Sequence, residues 1–109
     1  MNGNAIGVVE VNYYSKTVVV FDAMLKAAEV EIVSYHTRLG GRMTHGVVAG
    51  MTSSVNAAIE AAEDSRKIIG DENLKVAVCI SNPHPEVIKL LNMIEEKETE
   101  GERRSDNGR

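Results

Sequence analysis

The start of the chain changes from a β-rich segment to one with helical spacing. Residues 5–11 read Ala-Ile-Gly-Val-Val-Glu-Val and predict a first strand. Residues 16–29 predict a helix capped by Ser15, although the β-branched and aromatic residues at 18–21 have low helix propensity. The apolar positions that support the helix share one stripe; they are Phe21, Met24, Leu25 and Ala28. We therefore expect a helix that packs this stripe against a sheet.

The middle of the chain predicts a β-hairpin. Residues 30–37 and 43–49 are both β-rich, and the segment between them contains Gly40 and Gly41. Two adjacent glycines favour a two-residue turn, because both can take positive φ. With the glycines at the turn, three pairs of residues should face one another; they are Leu39 with Arg42, Arg38 with Met43, and His36 with His45.

The second half of the chain predicts a helix, a strand and a final short helix. Residues 52–69 form the predicted helix, with Gly70 as its C-cap. Its apolar stripe consists of Val55, Ala58, Ile59 and Ala62. Residues 73–80 predict the fourth strand, whose alternating apolar positions are Leu74, Val76, Val78 and Ile80. Two prolines then break the chain, and residues 86–97 predict a short amphipathic helix.

This order of elements defines the predicted fold class. It is α+β, with a β-α-β-β-α-β core of the ferredoxin-like kind and a short C-terminal helix. In such a fold two helices cover one face of an antiparallel sheet. We expect one domain at residues 1–97, followed by a charged tail at 98–109 that lacks apolar residues and should be disordered.

Composition excludes several classes of function. The chain has 109 residues, 43% of them hydrophobic but only 4% aromatic, and a net charge of -4. Few aromatic residues and a negative charge disfavour nucleic-acid binding. The chain start carries no basic cluster, and no apolar run approaches the roughly 20 residues of a membrane span. We expect a cytoplasmic protein that interacts with neither membranes nor nucleic acid.

Candidate chemistry is sparse. His36 and His45, facing each other in the predicted hairpin, could share a metal ion, but two histidines alone make an incomplete site. The alternative is a pair of solvated imidazoles. Cys79, the only cysteine, reads as a small buried residue of a strand rather than a nucleophile. No phosphate-binding or nucleophile motif occurs, so we predict no catalytic residues, no metal and no enzyme activity.

Several motifs follow one another in an order that is typical of one protein family. They are Ala-Ile-Gly-Val-Val-Glu at 5–10, Asp-Ala-Met-Leu-Lys-Ala-Ala at 22–28, Ser-Val-Asn-Ala-Ala-Ile-Glu-Ala-Ala at 54–62 and Val-Cys-Ile-Ser-Asn-Pro-His at 78–84. Tyr35 precedes the glycine loop, and Gly50 precedes the third motif. Over residues 5–92 this ordered set resembles the hexamer-forming shell proteins of bacterial microcompartments. Carboxysomes and the propanediol-, ethanolamine- and choline-utilisation compartments have such shells.

The resemblance implies a structural role by assembly. Six copies would form a flat disc, and discs would join edge to edge with each other and with other shell proteins around encapsulated enzymes. The loop implied to line a central pore for small polar metabolites comprises Arg38, Leu39, Gly40, Gly41 and Arg42. The positions implied at the edge between discs are Lys26, Asn82, Pro83 and His84. The resemblance thus implies a cytoplasmic shell subunit whose partners are chiefly copies of itself.

Two departures from the family pattern affect these expectations. Asn82 stands where many members have an arginine that reaches the neighbouring disc, and asparagine cannot make that contact. The pore loop is one residue longer, and Arg42 occupies a common glycine position. Six copies each of Arg38 and Arg42 would give a positive pore that favours anionic or polar metabolites. Alternatively, both arginines lie along the disc faces. Because the loop has no cysteine, we expect no iron–sulfur cluster and no other cofactor.

Two rival functions share the predicted topology. A sheet that is covered on one face leaves apolar residues such as Val8, Val30 and Ile32 exposed to water. Packing into a ring or into a smaller oligomer could bury them. A ferredoxin-like regulatory domain would form a dimer or trimer that binds a ligand between subunits. A small enzyme using His36 and His45 at a subunit junction would contain tightly bound metal. The ordered motifs favour the shell protein.

Overall fold

The computed structural model describes residues 4–82, and these form one antiparallel sheet with helices. The strands are β1 (Ala5–Asn12), β2 (Glu31–Arg38), β3 (Met43–Gly50) and β4 (Leu74–Ser81). The helices are α1 (Tyr14–Ala27), α2 (Thr52–Asp64) and the short α3 (Arg66–Ile69), with 3-10 turns at Leu39–Gly41 and Asp71–Asn73. The predicted last helix at 86–97 and the tail at 98–109 lie outside the described residues.

The sheet has the strand order β2-β3-β1-β4 with antiparallel neighbours throughout. The central pair, β1 and β3, is bonded along its whole length from Ala5 opposite Gly50 to Asn12 opposite Met43. Among the described strands, β2 and β4 form the two edges. This arrangement confirms the α+β fold class and the β-α-β-β-α-β order predicted from the sequence.

Both long helices pack on the same face of the sheet, which we call the helix face. Gly7 contacts side chains of α2, and Gly46 contacts the Phe21 ring of α1. The strand register places Gly7 opposite Val48 and Val9 opposite Gly46, so these four residues share one face. The main core fills the space between this face and the helices; its buried members are Val9, Val11, Val20, Phe21, Met24, Val48, Ala58, Ala62, Ile69 and Leu74.

The other face of the sheet, which we call the open face, carries the alternate residues of each strand. Ile6, Val47 and Ala49 form a small buried cluster there, with Val8 and Ile80 packed beside it. Since successive side chains of a strand point to opposite faces, neither α1 nor α2 contributes to this cluster. The domain therefore has two apolar layers of unequal size.

Helix α1 begins earlier than predicted and leaves one predicted core residue exposed. Its first residue is Tyr14, and Tyr13 precedes it with φ of 69°, so Ser15 lies inside the helix and is not its cap. The Thr17 hydroxyl donates to the Tyr13 carbonyl at 3.0 Å and helps to fix this first turn. Leu25 is exposed; the buried residues of α1 are Thr17, Val20, Phe21 and Met24. Burial of Val20 and Phe21 outweighs the low helix propensity of the run at 18–21.

The helix predicted at 52–69 is broken at one serine. The side chain of buried Ser65 donates to the Ala62 carbonyl at 2.6 Å, and the chain starts again as α3 at Arg66. A hydroxyl bonded back to the preceding turn competes with the regular helix bonds. The predicted C-cap is confirmed, because Gly70 has φ of 95° and its N–H donates to the Arg66 carbonyl at 2.8 Å.

The fourth strand follows the predicted alternation from Val76 to Ile80 and departs from it at Leu74. The register of β4 against β1 shifts between Glu10 and Val11. This irregularity places Leu74 with the helix-face core, together with Ala77, whereas Val78 and Ile80 lie on the open face. Val78 is exposed on that face.

The contact between Phe21 and Gly46 predicts a large effect of a small substitution. A Cβ added at Gly46 would overlap the Phe21 ring. We expect Gly46→Ala to lower the free energy of unfolding by about 2 kcal/mol or more, because the ring cannot move without disturbing the packed core. Chemical denaturation at matched protein concentration measures the change.

The matched control is the double variant Gly46→Ala with Phe21→Leu. Leucine removes the ring that the new methyl group would meet, so the alanine should cost much less in this background. Equal costs of Gly46→Ala beside phenylalanine and beside leucine would contradict the packing argument.

Candidate functional site

The hairpin between β2 and β3 has the register predicted from the sequence. His36 faces His45, and Arg38 faces Met43. Gly40 and Gly41 have φ of 65° and 94°, so both glycines take the positive φ that was predicted. A Cβ added at either glycine would meet nothing within 4 Å. The tip of the hairpin therefore projects from the body of its own subunit.

One detail of the turn differs from the prediction. Leu39 was expected to face Arg42 beside a two-residue turn, but the strand pairing ends at Arg38 and Met43, and the turn contains residues 39–42. Leu39 has φ of 55° and belongs to this turn. Its carbonyl accepts the backbone N–H of Arg42 and the Nε of the same arginine, each at 3.3 Å. A left-handed leucine costs about 1–2 kcal/mol. Its side chain is 61% exposed, so the turn presents an apolar group at its tip.

The two arginines of the hairpin have different surroundings. Arg42 bonds to its own turn through Leu39, as described above. Arg38 lies on the open face, where it lines a pocket together with Met43 and His45. The two side chains therefore have different surroundings, one at the turn and the other on the open face.

The base of the hairpin is tied to the start of α1. The backbone N–H of Tyr13 donates to the Arg42 carbonyl at 2.7 Å. The ammonium of Lys16 lies 5.0 Å from the centre of the Tyr13 ring, in the range of a cation–π contact. These contacts fix the N-terminal end of α1 beside the hairpin, while Lys26 lies near its C-terminal end.

An exposed apolar surface runs along α1 and the edge strand β2. We call it the α1–β2 patch; its large exposed side chains are Tyr14, Val18, Leu25, Ile32 and Tyr35. A shallow groove of about 360 Å³ lies between them. Tyr35 stacks edge to face with Tyr14 at 6.4 Å and with Phe21 at 6.0 Å, measured between ring centres. Hydrogen bonding with Tyr35 raises the pKa of the Tyr14 hydroxyl.

The residues predicted at the disc edge are only partly described. Lys26 is exposed, and its ammonium lies 2.9 Å from the Asp22 carboxylate one helical turn earlier. The hydrogen bond to Asp22 raises the pKa of Lys26. Asn82 is exposed with φ of 48°, and its N–H donates to the Asn4 carbonyl at 2.6 Å. Pro83 and His84 lie outside the described residues.

The histidine pair lies in a longer row of polar residues. Glu10, His45 and His36 are neighbours across β1, β3 and β2 on the open face. The expectation of two solvated imidazoles is wrong for His36, which is only 8% exposed. Within residues 4–82, no three His, Cys, Asp or Glu side chains are grouped so that they could hold a metal ion. Cys79 is half-buried opposite Gly7.

Two of these features were missed by reasoning from the sequence. The sequence does contain a pattern that could have predicted the α1–β2 patch. Tyr14, Val18 and Leu25 are apolar positions at helical spacing that lie beside the core stripe. No sequence pattern could have predicted that Glu10 lies beside His45, because this depends on the pairing of strands that are far apart in the chain. None of the helices in the described part of the chain is long and apolar enough to cross a membrane.

Fold and surface together define a class of protein. This is a small α+β domain that presents a projecting glycine hairpin and an exposed apolar edge, the features of a subunit that assembles. A family model described as the BMC domain matches residues 5–83. The chain belongs to this family, that of the bacterial microcompartment shell proteins, as its resemblance indicated.

Individual relatives agree with the family assignment. The chain is 41% identical to carboxysome shell protein CsoS1A of Hydrogenovibrio crunogenus over 91 residues, which are 84% of this chain and 93% of the relative. It is 39% identical to carboxysome shell protein CsoS1 of Prochlorococcus marinus strain SARG over 89 residues, 82% of this chain and 84% of the relative. A solved microcompartment protein from Desulfitobacterium hafniense is similar with a TM-score of 0.64 and 25% identity. That alignment covers 77% of this chain but only 44% of the solved one.

Proposed function

We propose that this chain is a structural subunit of a bacterial microcompartment shell in the cytoplasm and that it assembles as a cyclic hexamer around a pore. The observation that carries the proposal is the projecting hairpin in a member of the BMC domain family. The relatives named as carboxysome shell proteins support the location. The chain acts by assembly and not as an enzyme.

The layout of α1 supports a wedge-shaped subunit. Its first residues are bonded to the hairpin, which the proposal places at the ring axis, and Lys26 near its other end is the proposed edge residue. A helical rise of about 1.5 Å per residue separates Tyr13 from Lys26 by about 20 Å along the helix. The α1–β2 patch runs between these two ends. It is thus the radial wall on which a neighbouring subunit would pack.

The patch has the chemistry that subunit contacts need. It combines aromatic and aliphatic side chains, which are left half exposed in the single chain. It also includes β2, the edge strand, whose outer backbone groups have no partner strand among the described residues. Covering such a surface removes apolar area from water and protects an edge that would otherwise favour aggregation.

The pore would be lined by Arg38, Leu39, Gly40, Gly41 and Arg42 from each copy. The exposed Leu39 side chain and the glycine backbone would form the narrowest part. The arginines give the pore a positive field that favours small anionic or polar metabolites. The partners are thus copies of this chain, other shell proteins and, inside the shell, the encapsulated enzymes.

The radial wall is tested by a charge in the α1–β2 patch. We expect Val18→Glu to convert hexamers into monomers or small aggregates while helix content stays unchanged, because a carboxylate would be buried between subunits. Native mass spectrometry and electron microscopy of the purified protein measure the assembly. Ile68→Glu is the matched control, since Ile68 is 76% exposed outside the patch and its variant should remain hexameric.

The assembly state of the unaltered protein, measured in the same way, tests the hexamer proposal directly. Hexameric discs are expected. A stable monomer, or a dimer or trimer that binds a ligand between subunits, would contradict it and favour a regulatory domain of the same topology.

The edge between discs is tested by Lys26→Ala. The side chain is exposed and pairs only with neighbouring Asp22 within the described residues, so its loss should leave the thermal unfolding midpoint and the hexamer unchanged. Extended sheets of discs should be lost, because the edge contact would lack its lysine. Electron microscopy distinguishes the two levels of assembly. If Lys26→Ala still formed normal sheets, Lys26 would not be part of the contact between discs.

The pore charge is tested by replacing Arg38 and Arg42 together with alanine. We expect entry of small anions into assembled shells to slow at least about threefold, because six copies lose two positive charges each near the axis. Transport of a neutral solute of similar size is the control and should change little. Equal anion entry in the two shells would show that the arginines lie along the disc faces instead.

A further inference from the structure

The end of the subunit opposite the hairpin brings the ends of several elements together. Strand β3 runs about 24 Å from the hairpin to Gly50, and Ala5 of β1 lies opposite both Gly50 and Ser81. The link after α1 reaches the same place, because a Cβ added at Gly50 would lie 3.0 Å from the Glu29 carbonyl oxygen. We call this end the rim; its exposed members include Lys26, Met51 and Asn82.

Asn4 ties three elements of the rim together. Its side-chain carbonyl oxygen accepts hydrogen bonds from the backbone N–H and the hydroxyl of Thr52, each at 3.0 Å. Its backbone carbonyl accepts the N–H of Asn82 at 2.6 Å. Asn4 therefore fixes the start of α2 and the end of β4 against the start of β1. Asn82 has φ of 48°, a left-handed conformation that asparagine adopts more readily than most residues.

Met51 is an exposed apolar side chain on an ordered part of the rim. It is 60% exposed, while Gly50 before it pairs with β1 and Thr52 after it is bonded to Asn4. Methionine is enriched in contact surfaces, because its flexible thioether adapts to a facing apolar group. Since the backbone is already fixed on both sides, a partner that covers Met51 would order little more than its side chain.

The chemistry of the rim is complementary to itself. The Asn82 amide both donates and accepts hydrogen bonds, and Met51 offers an apolar group. The Lys26 ammonium lies 2.9 Å from the Asp22 carboxylate, so two copies of the rim can approach without opposing unpaired lysines. A two-fold contact needs such a surface, because the same residues are supplied from both sides.

We propose that Met51 and Asn82 join neighbouring discs by packing against the rim of a second copy of this chain. The two Met51 side chains meet across a local two-fold axis and exclude water from the contact. The Asn82 amides form hydrogen bonds beside them. This contact rests on the hexamer proposed above, and it adds an apolar centre to the edge at which Lys26 was placed.

The experiment uses the full chain and measures two levels of assembly. Native mass spectrometry detects hexamers, and electron microscopy with sedimentation measures the protein concentration at which sheets form. Met51→Asp should remain hexameric and raise that concentration at least about tenfold, because carboxylates would oppose each other across the contact. Ile68→Asp is the matched control. Ile68 is 76% exposed in α3, beyond the other end of α2, and its variant should form sheets like the unaltered protein.

A charge exchange identifies the partner. Met51→Lys hexamers alone should also fail to form sheets, whereas mixing them with Met51→Asp hexamers should restore sheets, since opposite charges would then face each other. Sheets that stay absent in the mixture, or normal sheets of either variant alone, would overturn the contact. Loss of the hexamer in Met51→Asp would place Met51 between subunits of one disc and overturn it as well. Failure of the unaltered protein to form hexamers would instead contradict the proposed function itself.

The amide is tested separately by Asn82→Gly. Glycine keeps the left-handed backbone and removes only the side chain. The concentration at which sheets form should rise at least about threefold while the hexamer persists, because the hydrogen bonds beside Met51 would be lost. An unchanged concentration would remove Asn82 from the contact between discs.

Discussion

The packing of the Phe21 ring against the backbone of Gly46 sets the distance between α1 and the sheet. No other residue fits at position 46 without displacing that ring. Because α1 is held there, Val20 and Met24 reach the core, and the start of the helix lies beside the base of the hairpin. The close approach of one helix to one strand thus positions both the core and the exposed α1–β2 patch.

The same packing leaves the subunit incomplete at its side. A helix pressed onto a sheet of four strands buries one stripe, and the adjoining stripe of α1 remains beside the edge strand β2. Tyr14, Val18 and Ile32 stay exposed there. A chain of this size leaves part of its apolar surface exposed, and subunits of an assembly cover surfaces of this kind.

The tip and the stem of the hairpin have different surroundings. At the tip, left-handed backbone at Leu39, Gly40 and Gly41 makes a narrow projection. At the stem, Arg38 turns toward Met43 and His45 on the open face.

The sequence alone determined the order of the elements, the hairpin register from His36 to Met43, and the family, because these follow from local periodicity, turn chemistry and ordered motifs. Tertiary structure decided what local patterns could not. The irregularity at Glu10 moved Leu74 to the helix face, and Ser65 divided a helix that periodicity made continuous. Contrary to the sequence predictions, Leu25 is exposed and His36 is buried. The exposure of a side chain depends on which residues of distant strands and helices pack against it. The pairing of β1 with β3 likewise placed Glu10 beside His45, a contact between residues too far apart in the chain for any periodicity to reveal.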